Sequence, residues 1–223
     1  MERTNQPTVV IDFYADYMCP LCYIGKVNLE KAISELPYRE NVKVVYHPFQ
    51  LYPNAPLNKD RIYYEYTSKT HNNISVDYVK EANKNVIALA KSVGLNYDLD
   101  KLIPTNTTDA LRLTLYAQEK GKHKELSQKL YNAYFVEGLD IADAETLIQL
   151  SSEIGLDKTE IRDILPTDRY KNDLKSSRMS GERIGISGTP FFIINNKYAI
   201  SGVKPKEVFI DVLNKTWAET DKD

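Results

Sequence analysis

The 223-residue chain holds two cysteines, one tryptophan, three methionines, three histidines and nine glycines. Two cysteines cannot staple the framework of a disulfide-rich secreted scaffold. Nine glycines and ten prolines without a biased tract exclude a collagen-like or wholly disordered chain. An excess of one charge is missing too: 29 basic against 31 acidic residues leave −2, which gives no general basic field for nucleic acid or an anionic membrane surface. No apolar run approaches the ~18 residues that span a bilayer. Near the N-terminus, Val9-Val10-Ile11 stops at Asp12, too short for the apolar segment of a secretion signal, and no small-residue cleavage site follows. Walker A, GxGxxG and nucleophile-elbow patterns are also absent. These absences predict a cytoplasmic protein with no nucleic-acid or membrane partner. At 42% hydrophobic residues the chain has material for an ordinary globular core, and a chain of this mass buries roughly 70% of its surface on folding.

What is present has a clear order. Val9 to Tyr14 is β-branched and aromatic and reads as a strand. After Cys19-Pro20-Leu21-Cys22, a helix is expected to run to about Leu36, followed by a second strand over Val42 to Tyr46 that Pro48 closes. Strand, helix, strand favours a parallel βαβ pair. The middle of the chain lacks strand signals. Apolar residues recur at helical spacing from Val79 to Val93, from Asp109 to Lys120, around Leu126 to Tyr134, from Ala144 to Ile154 and from Asp168 toward Gly181, with Gly94, Gly121, Gly138 and Gly155 placed as stops. Strand character returns at Phe191 to Ile194. Asn195-Asn196 supplies a turn tolerant of positive φ, Lys197 to Ile200 completes a hairpin, and Pro205 opens a last helix through Trp217. A βαβ and a ββα unit are each too small to bury their own faces. The predicted architecture is therefore an α/β layer built from residues 1–57 and 180–223, interrupted by a helical insertion over 58–179.

Cys19-Pro20-Leu21-Cys22 carries the strongest chemical signal. At a helix start, unpaired N–H groups and the helix dipole favour a thiolate on the first cysteine, and only the thiolate is nucleophilic. The second cysteine, one turn in, can resolve a mixed disulfide by attacking the first sulfur. This makes Cys19 the nucleophile and Cys22 the resolving thiol. Two competing readings stand beside it: half of a zinc site, with the scattered His47, His71 and His123 as the remaining candidates, and two inert core thiols. The second signal is Gly185-Ile-Ser-Gly-Thr189-Pro190. A proline opening a strand marks either a cis turn, which would present the Thr189 backbone to an extended substrate, or an ordinary trans proline at a strand start.

Weaker candidates each carry two readings. Asp16, three residues before Cys19, is a pKa modulator or a surface loop residue. Asp12 is a carboxylate beneath Cys22 or the solvent face of its strand. Lys26 reads as a solvated helix lysine rather than a thiolate partner, and His47 as a packing or strand-edge histidine. Tyr63, Tyr64 and Tyr66 line a substrate groove or form an aromatic stripe.

Taken together, Asp16 to Lys26, Asn106-Thr107, Tyr134 to Ile141 and Gly185 to Pro205 resemble the thioredoxin superfamily. The likeness is to its DsbA-like branch, in which a helical domain interrupts the thioredoxin fold, and within it to the FrnE-like group of thiol–disulfide oxidoreductases. The resemblance implies that Cys19 and Cys22 form a redox pair, with Pro190 as the facing cis-proline and Thr189, Pro20 and Leu21 beside the substrate. It implies no metal or organic cofactor beyond the redox-active disulfide. Partners would be disulfide- or thiol-containing proteins, with glutathione as a candidate reductant or a thioredoxin-type protein as recycling partner. Leu21 replaces a tryptophan common in the group, and Leu111 stands where a histidine is common. A neighbouring branch, the kappa-class glutathione transferases and hydroxychromene-carboxylate isomerases, shares the architecture but typically has serine at the position of Cys19, and so a glutathione-dependent isomerase or transferase is the alternative. A chaperone-like client-binding protein with incidental cysteines is a third reading.

Overall fold

The computed structural model describes residues 9–55 and 62–220. The expected domain boundary near 57–58 lies outside the described residues. β1 (Val9–Ala15) leads through the CPLC turn into α1 (Pro20–Glu35), and β2 (Val42–Pro48) follows. Seven helices come next: α2 (Tyr63–Thr70), α3 (Val76–Ser92), α4 (Thr108–Glu119), α5 (His123–Phe135), α6 (Ala144–Ser152), α7 (Lys158–Ile164) and α8 (Lys171–Arg183). The hairpin β3 (Phe191–Ile194) and β4 (Tyr198–Ser201) and the last helix α9 (Lys206–Thr220) complete the chain.

The four strands form one mixed sheet in the order β2-β1-β3-β4. β1 runs parallel to β2, Val9 opposite Val42 and Ala15 opposite Pro48, and antiparallel to β3, Phe13 opposite Phe192. Pairing with the far end of the sequence is what brings residue 190 to residue 19. The hairpin turns on Asn195 and Asn196, both with positive φ (47° and 53°). Asparagine visits the left-handed region more readily than most residues, and this twist suits a two-residue turn.

Alternation along β1 divides its side chains between the two faces. On one face Phe13 stacks on Phe192 at 4.6 Å between ring centroids, and Phe192 meets Phe209 of α9 edge-on at 4.9 Å. α1 lies on this face so closely that a Cβ on Gly25 would stand 3.2 Å from both Phe192 Cζ and Pro190 Cγ. On the other face Tyr14 and Phe49 pack with Ile186, and Gly181 of α8 lets the backbone reach the Phe49 ring.

The helical stretch builds its caps locally and its centre from afar. Ser75 caps α3 by accepting from Tyr78 N, Asp143 caps α6 from Thr146 N, and Asp157 caps α7 from Thr159 N and Glu160 N. Deep between α4 and the 164–169 turn, the fully buried Arg112 donates to the carbonyls of Ile164 (2.9 Å), Thr167 (2.6 Å) and Arg169 (2.7 Å) and to Asp109 Oδ1 (2.6 Å). A layer of tyrosines joins this stretch to the CPLC end of α1. Tyr131 stacks on Tyr23 at 5.1 Å and packs against Tyr17 at 4.8 Å. Tyr97 donates to the Pro20 carbonyl at 2.7 Å, and Tyr17 and Thr114 share a hydroxyl–hydroxyl bond of 2.5 Å. Among the described residues no helix is long and apolar enough to cross a membrane.

Candidate functional site

Cys19 sits at the N-cap of α1 with extended backbone, and Pro20 takes the first helical position, where a missing N–H costs nothing. The turn is drawn tight by Cys19 N donating to the Asp16 carbonyl (3.2 Å) and Cys22 N to the Cys19 carbonyl (3.0 Å). No side chain caps this helix and no acidic residue stands in its first turn. Its positive end therefore faces Cys19 uncompensated. Both cysteines are free thiols and both are buried, Cys19 at 7% exposure and Cys22 completely.

Their acidities diverge. A hydrogen bond from the Cys22 thiol holds the Cys19 pKa below the ordinary thiol value against the opposing effect of burial, with Thr189 adding to the lowering. Burial pushes Cys22 well above that value, and the neighbouring Cys19 sulfur pushes it further. Such a pair ionises at Cys19 and keeps its proton at Cys22.

Across from the pair, the Thr189–Pro190 peptide bond is cis, and the Cys19 thiol donates to the Thr189 carbonyl at 3.4 Å. The Thr189 N–H makes no backbone hydrogen bond among the described residues. Its hydroxyl is buried without a partner at normal hydrogen-bond length, yet its dipole favours an ionised sulfur at both cysteines. Leu21 is half-buried against the core, and the Pro20 carbonyl is occupied by Tyr97.

Asp16 is fully buried, not a surface loop residue. Its Oδ2 accepts from Leu51 N at 2.8 Å, which ties the loop after β2 to the CPLC turn. Burial raises its pKa, opposed by Leu51 N, Thr107 and the amides of Met18 and Tyr17. When ionised it opposes a charge on Cys19. The loop it anchors is held from the other side by Asn106, whose amide donates to the carbonyls of Pro53 (3.2 Å) and Ala55 (2.7 Å), and by Gln50 reaching Thr108 at 2.8 Å.

Other expected positions fall away from the thiols. Asp12 is on the sheet face of Tyr14 and meets His47 Nε2 at 2.6 Å, so it is neither beneath Cys22 nor free in solvent. His47 stacks on Tyr14 at 4.6 Å, a packing histidine as expected. Lys26, expected in solvent, is buried: Nζ donates to Glu30 (3.0 Å) and to Gln128 Oε1 (3.0 Å), because α5 covers that side of α1. Leu111 is fully buried core. Tyr63 is close enough to Cys19 to sense its charge, whereas the Tyr64 hydroxyl turns to Asp100 at 2.7 Å. Sequence reasoning missed Tyr97 and Tyr131, which wall the site; the available signal was 16 tyrosines against six phenylalanines, an excess of rings that carry a hydroxyl into buried places. Among the described residues no three His, Cys, Asp or Glu side chains are grouped to hold a metal ion.

A dithiol at a helix start facing a cis-proline loop, on a sheet interrupted by helices, defines a thioredoxin-fold protein of the DsbA-like type. Residues 10–214 match the family described as the DSBA-like thioredoxin domain, and the chain belongs to that family. A crystal structure of a probable DsbA oxidoreductase from Streptomyces coelicolor is similar, with 30% identity and a TM-score of 0.87 over 95% of this chain and 91% of that one. The uncharacterized protein YwbO of Bacillus subtilis (strain 168) is 29% identical over 204 residues, 91% of this chain and 94% of its own. The cytosolic disulfide reductase DsbM of Pseudomonas aeruginosa shares the fold, with 16% identity and a TM-score of 0.62 over 96% and 97% of the two chains.

Proposed function

We propose that this protein is a cytoplasmic thiol–disulfide oxidoreductase that exchanges disulfides with protein substrates through Cys19 and Cys22. The observation that carries the reading is the placement of two free thiols in the first turn of one helix, with Cys19 against the cis Thr189–Pro190 loop. In the reducing direction, the Cys19 thiolate attacks a substrate disulfide, forms a mixed disulfide and expels the first substrate thiolate. Cys22 then loses its proton and attacks the Cys19 sulfur, releasing the second thiolate and leaving a Cys19–Cys22 disulfide. Two electrons pass to the substrate. The oxidised pair is returned to dithiol by an external thiol, glutathione or a thioredoxin-type partner. No metal or organic cofactor enters this cycle.

Thr189 supports a protein substrate. Its N–H is without a backbone partner and its carbonyl lies at the Cys19 sulfur, so an extended segment carrying the target cysteine can add to it as a strand. Pro190 holds that loop against α1, and Leu21 with Pro20 forms the adjoining contact surface. Reduction or isomerisation, rather than oxidation, is the direction a thiol-rich cytosol favours.

The test is a redox titration. Purified protein equilibrated in graded glutathione buffers and then alkylated should show one reversible two-thiol transition by mass, absent in Cys19→Ser. Cys22→Ser should accumulate mixed disulfides with thiol proteins. A chain that stays fully reduced across the whole range, with no trapped adducts, would overturn the reading. Turnover that survives Cys22→Ser with a glutathione-linked substrate would instead favour the isomerase or transferase alternative.

A further inference from the structure

Tyr97 reaches the CPLC turn from the inserted helical stretch, 77 positions along the chain from Pro20. Its neighbours hold it in place. Asp98 N donates to the Phe135 carbonyl at 2.8 Å, and the Tyr97 ring stacks on Phe135 at 4.9 Å and lies over Tyr23 at 6.1 Å. The ring is buried, and among the described residues its hydroxyl has one partner, the Pro20 carbonyl at 2.7 Å. Burial, and after it the charge of Cys19, raise the pKa of this hydroxyl, so it keeps its proton and stays a donor.

The Pro20 carbonyl belongs to the same peptide group as the Leu21 N–H. In a helix the two ends of a peptide group point opposite ways, the oxygen toward the C-terminus and the N–H toward the N-terminus. Leu21 holds the second helical position, whose N–H an N-cap side chain ordinarily takes, and Cys19 is the N-cap of α1. The Leu21 N–H makes no hydrogen bond among the described residues and is open to the sulfur. A hydrogen bond accepted at a carbonyl polarises the peptide and makes its N–H a stronger donor. Tyr97 therefore acts on Cys19 through a single peptide group.

The titratable groups that face Cys19 are Cys22 on its own helix, Asp16 in the turn before it, Tyr52 from the loop after β2, Tyr63 of α2, Tyr131 of α5, and Tyr97. Asp16 opposes a thiolate there, and the hydrogen bonds of Cys22 and Thr189 favour it.

We propose that Tyr97 is a positioning residue for the Cys19 nucleophile: its hydroxyl, held by the inserted helices, polarises the Pro20–Leu21 peptide and strengthens the Leu21 N–H as a donor to the Cys19 thiolate. The role deepens the disulfide-exchange reading and rests on it for its use in turnover.

The test is the pH dependence of Cys19 alkylation by iodoacetamide on the full reduced chain, with Cys19 assigned by peptide mass. Tyr97→Phe removes the hydroxyl and keeps the ring. Its midpoint should rise by about 0.3 pH unit, roughly a twofold slower reaction below the midpoint, the scale of a 10–30% change in one hydrogen bond to a charge. Tyr134→Phe removes a buried hydroxyl from the same helices, one bonded to the Ile103 carbonyl at 3.2 Å and not to the turn. That variant should keep the midpoint of the parent. An unchanged or lowered midpoint in Tyr97→Phe overturns the proposal, and so does an equal rise in Tyr134→Phe, which would mark general loosening of the helices. Alkylation needs no disulfide substrate, so a chain that fails the redox titration still answers this question.

Discussion

The sheet and the inserted helices share one apolar core but differ in what else locks them. The sheet closes on stacked rings, Phe13 on Phe192 and Phe192 on Phe209, contacts that have no direction to satisfy beyond shape. The helices bury leucines and tyrosines of their own, but α4 is pinned to the 164–169 turn by one guanidinium, Arg112, whose donors are spent on that turn's carbonyls and on Asp109. Hydrophobic contact degrades in proportion to the volume removed, while a buried polar hub degrades by leaving partners unsatisfied. The two halves should therefore answer to different substitutions, and the thiol pair lies where they meet, under Tyr97 and Tyr131.

Conservative replacements give the sharpest break. Arg112→Lys keeps the charge but loses the planar fork, stranding several buried carbonyls, and is expected to cost about 3–5 kcal/mol in urea unfolding. Phe192→Leu keeps an apolar side chain and should cost only about 1–2 kcal/mol. Equal costs would mean that the helical half does not depend on its polar centre.

Asp16 belongs to both halves and its effect is set by pH. Burial raises its folded-state pKa above the unfolded value. The folded chain therefore holds this proton more tightly, and the stabilisation is complete below about pH 4 and is lost as pH rises through the folded-state value. Asp16→Asn removes that dependence. The stability of the variant relative to the parent should climb from about pH 4 upward and then level off, and a flat difference across pH 4–8 would rule the reading out. The same variant lacks the charge that opposes the Cys19 thiolate, so the pH midpoint of Cys19 alkylation should fall. The smallest effect is expected at Thr189. Thr189→Val removes the hydroxyl dipole that favours ionised sulfur, so the alkylation midpoint should rise slightly while stability stays within about 0.5 kcal/mol.

Legibility of the fold followed the range of each signal. β1, β2 and the Asn195-Asn196 hairpin lie where β-branched and aromatic runs end in turn residues. α3 to α6 stop beside Gly94, Gly121, Gly138 and Gly155, all at positive φ. α2 and α7 escaped because eight and seven residues hold too few turns for a helical period to show. At the site, the CPLC turn and Thr189–Pro190 were legible as local motifs. The burial of Asp16 was not, since its partner Leu51 and the tyrosine roof arrive from distant segments. Lys26 misled for the same reason: its covering residue, Gln128, is 102 positions away.

Gly25 has a consequence for the history of the chain. With 3.2 Å between its missing Cβ and both Phe192 and Pro190, the helix bearing the cysteines and the strand bearing the proline loop share one interlocking surface. A side chain added at position 25 would need the Phe192 ring or Pro190 to give way. An alanine at position 25 in a descendant should arrive together with a slimmer side chain at 192, so the two positions should drift as a couple through the lineage, even though 167 residues separate them in the gene product.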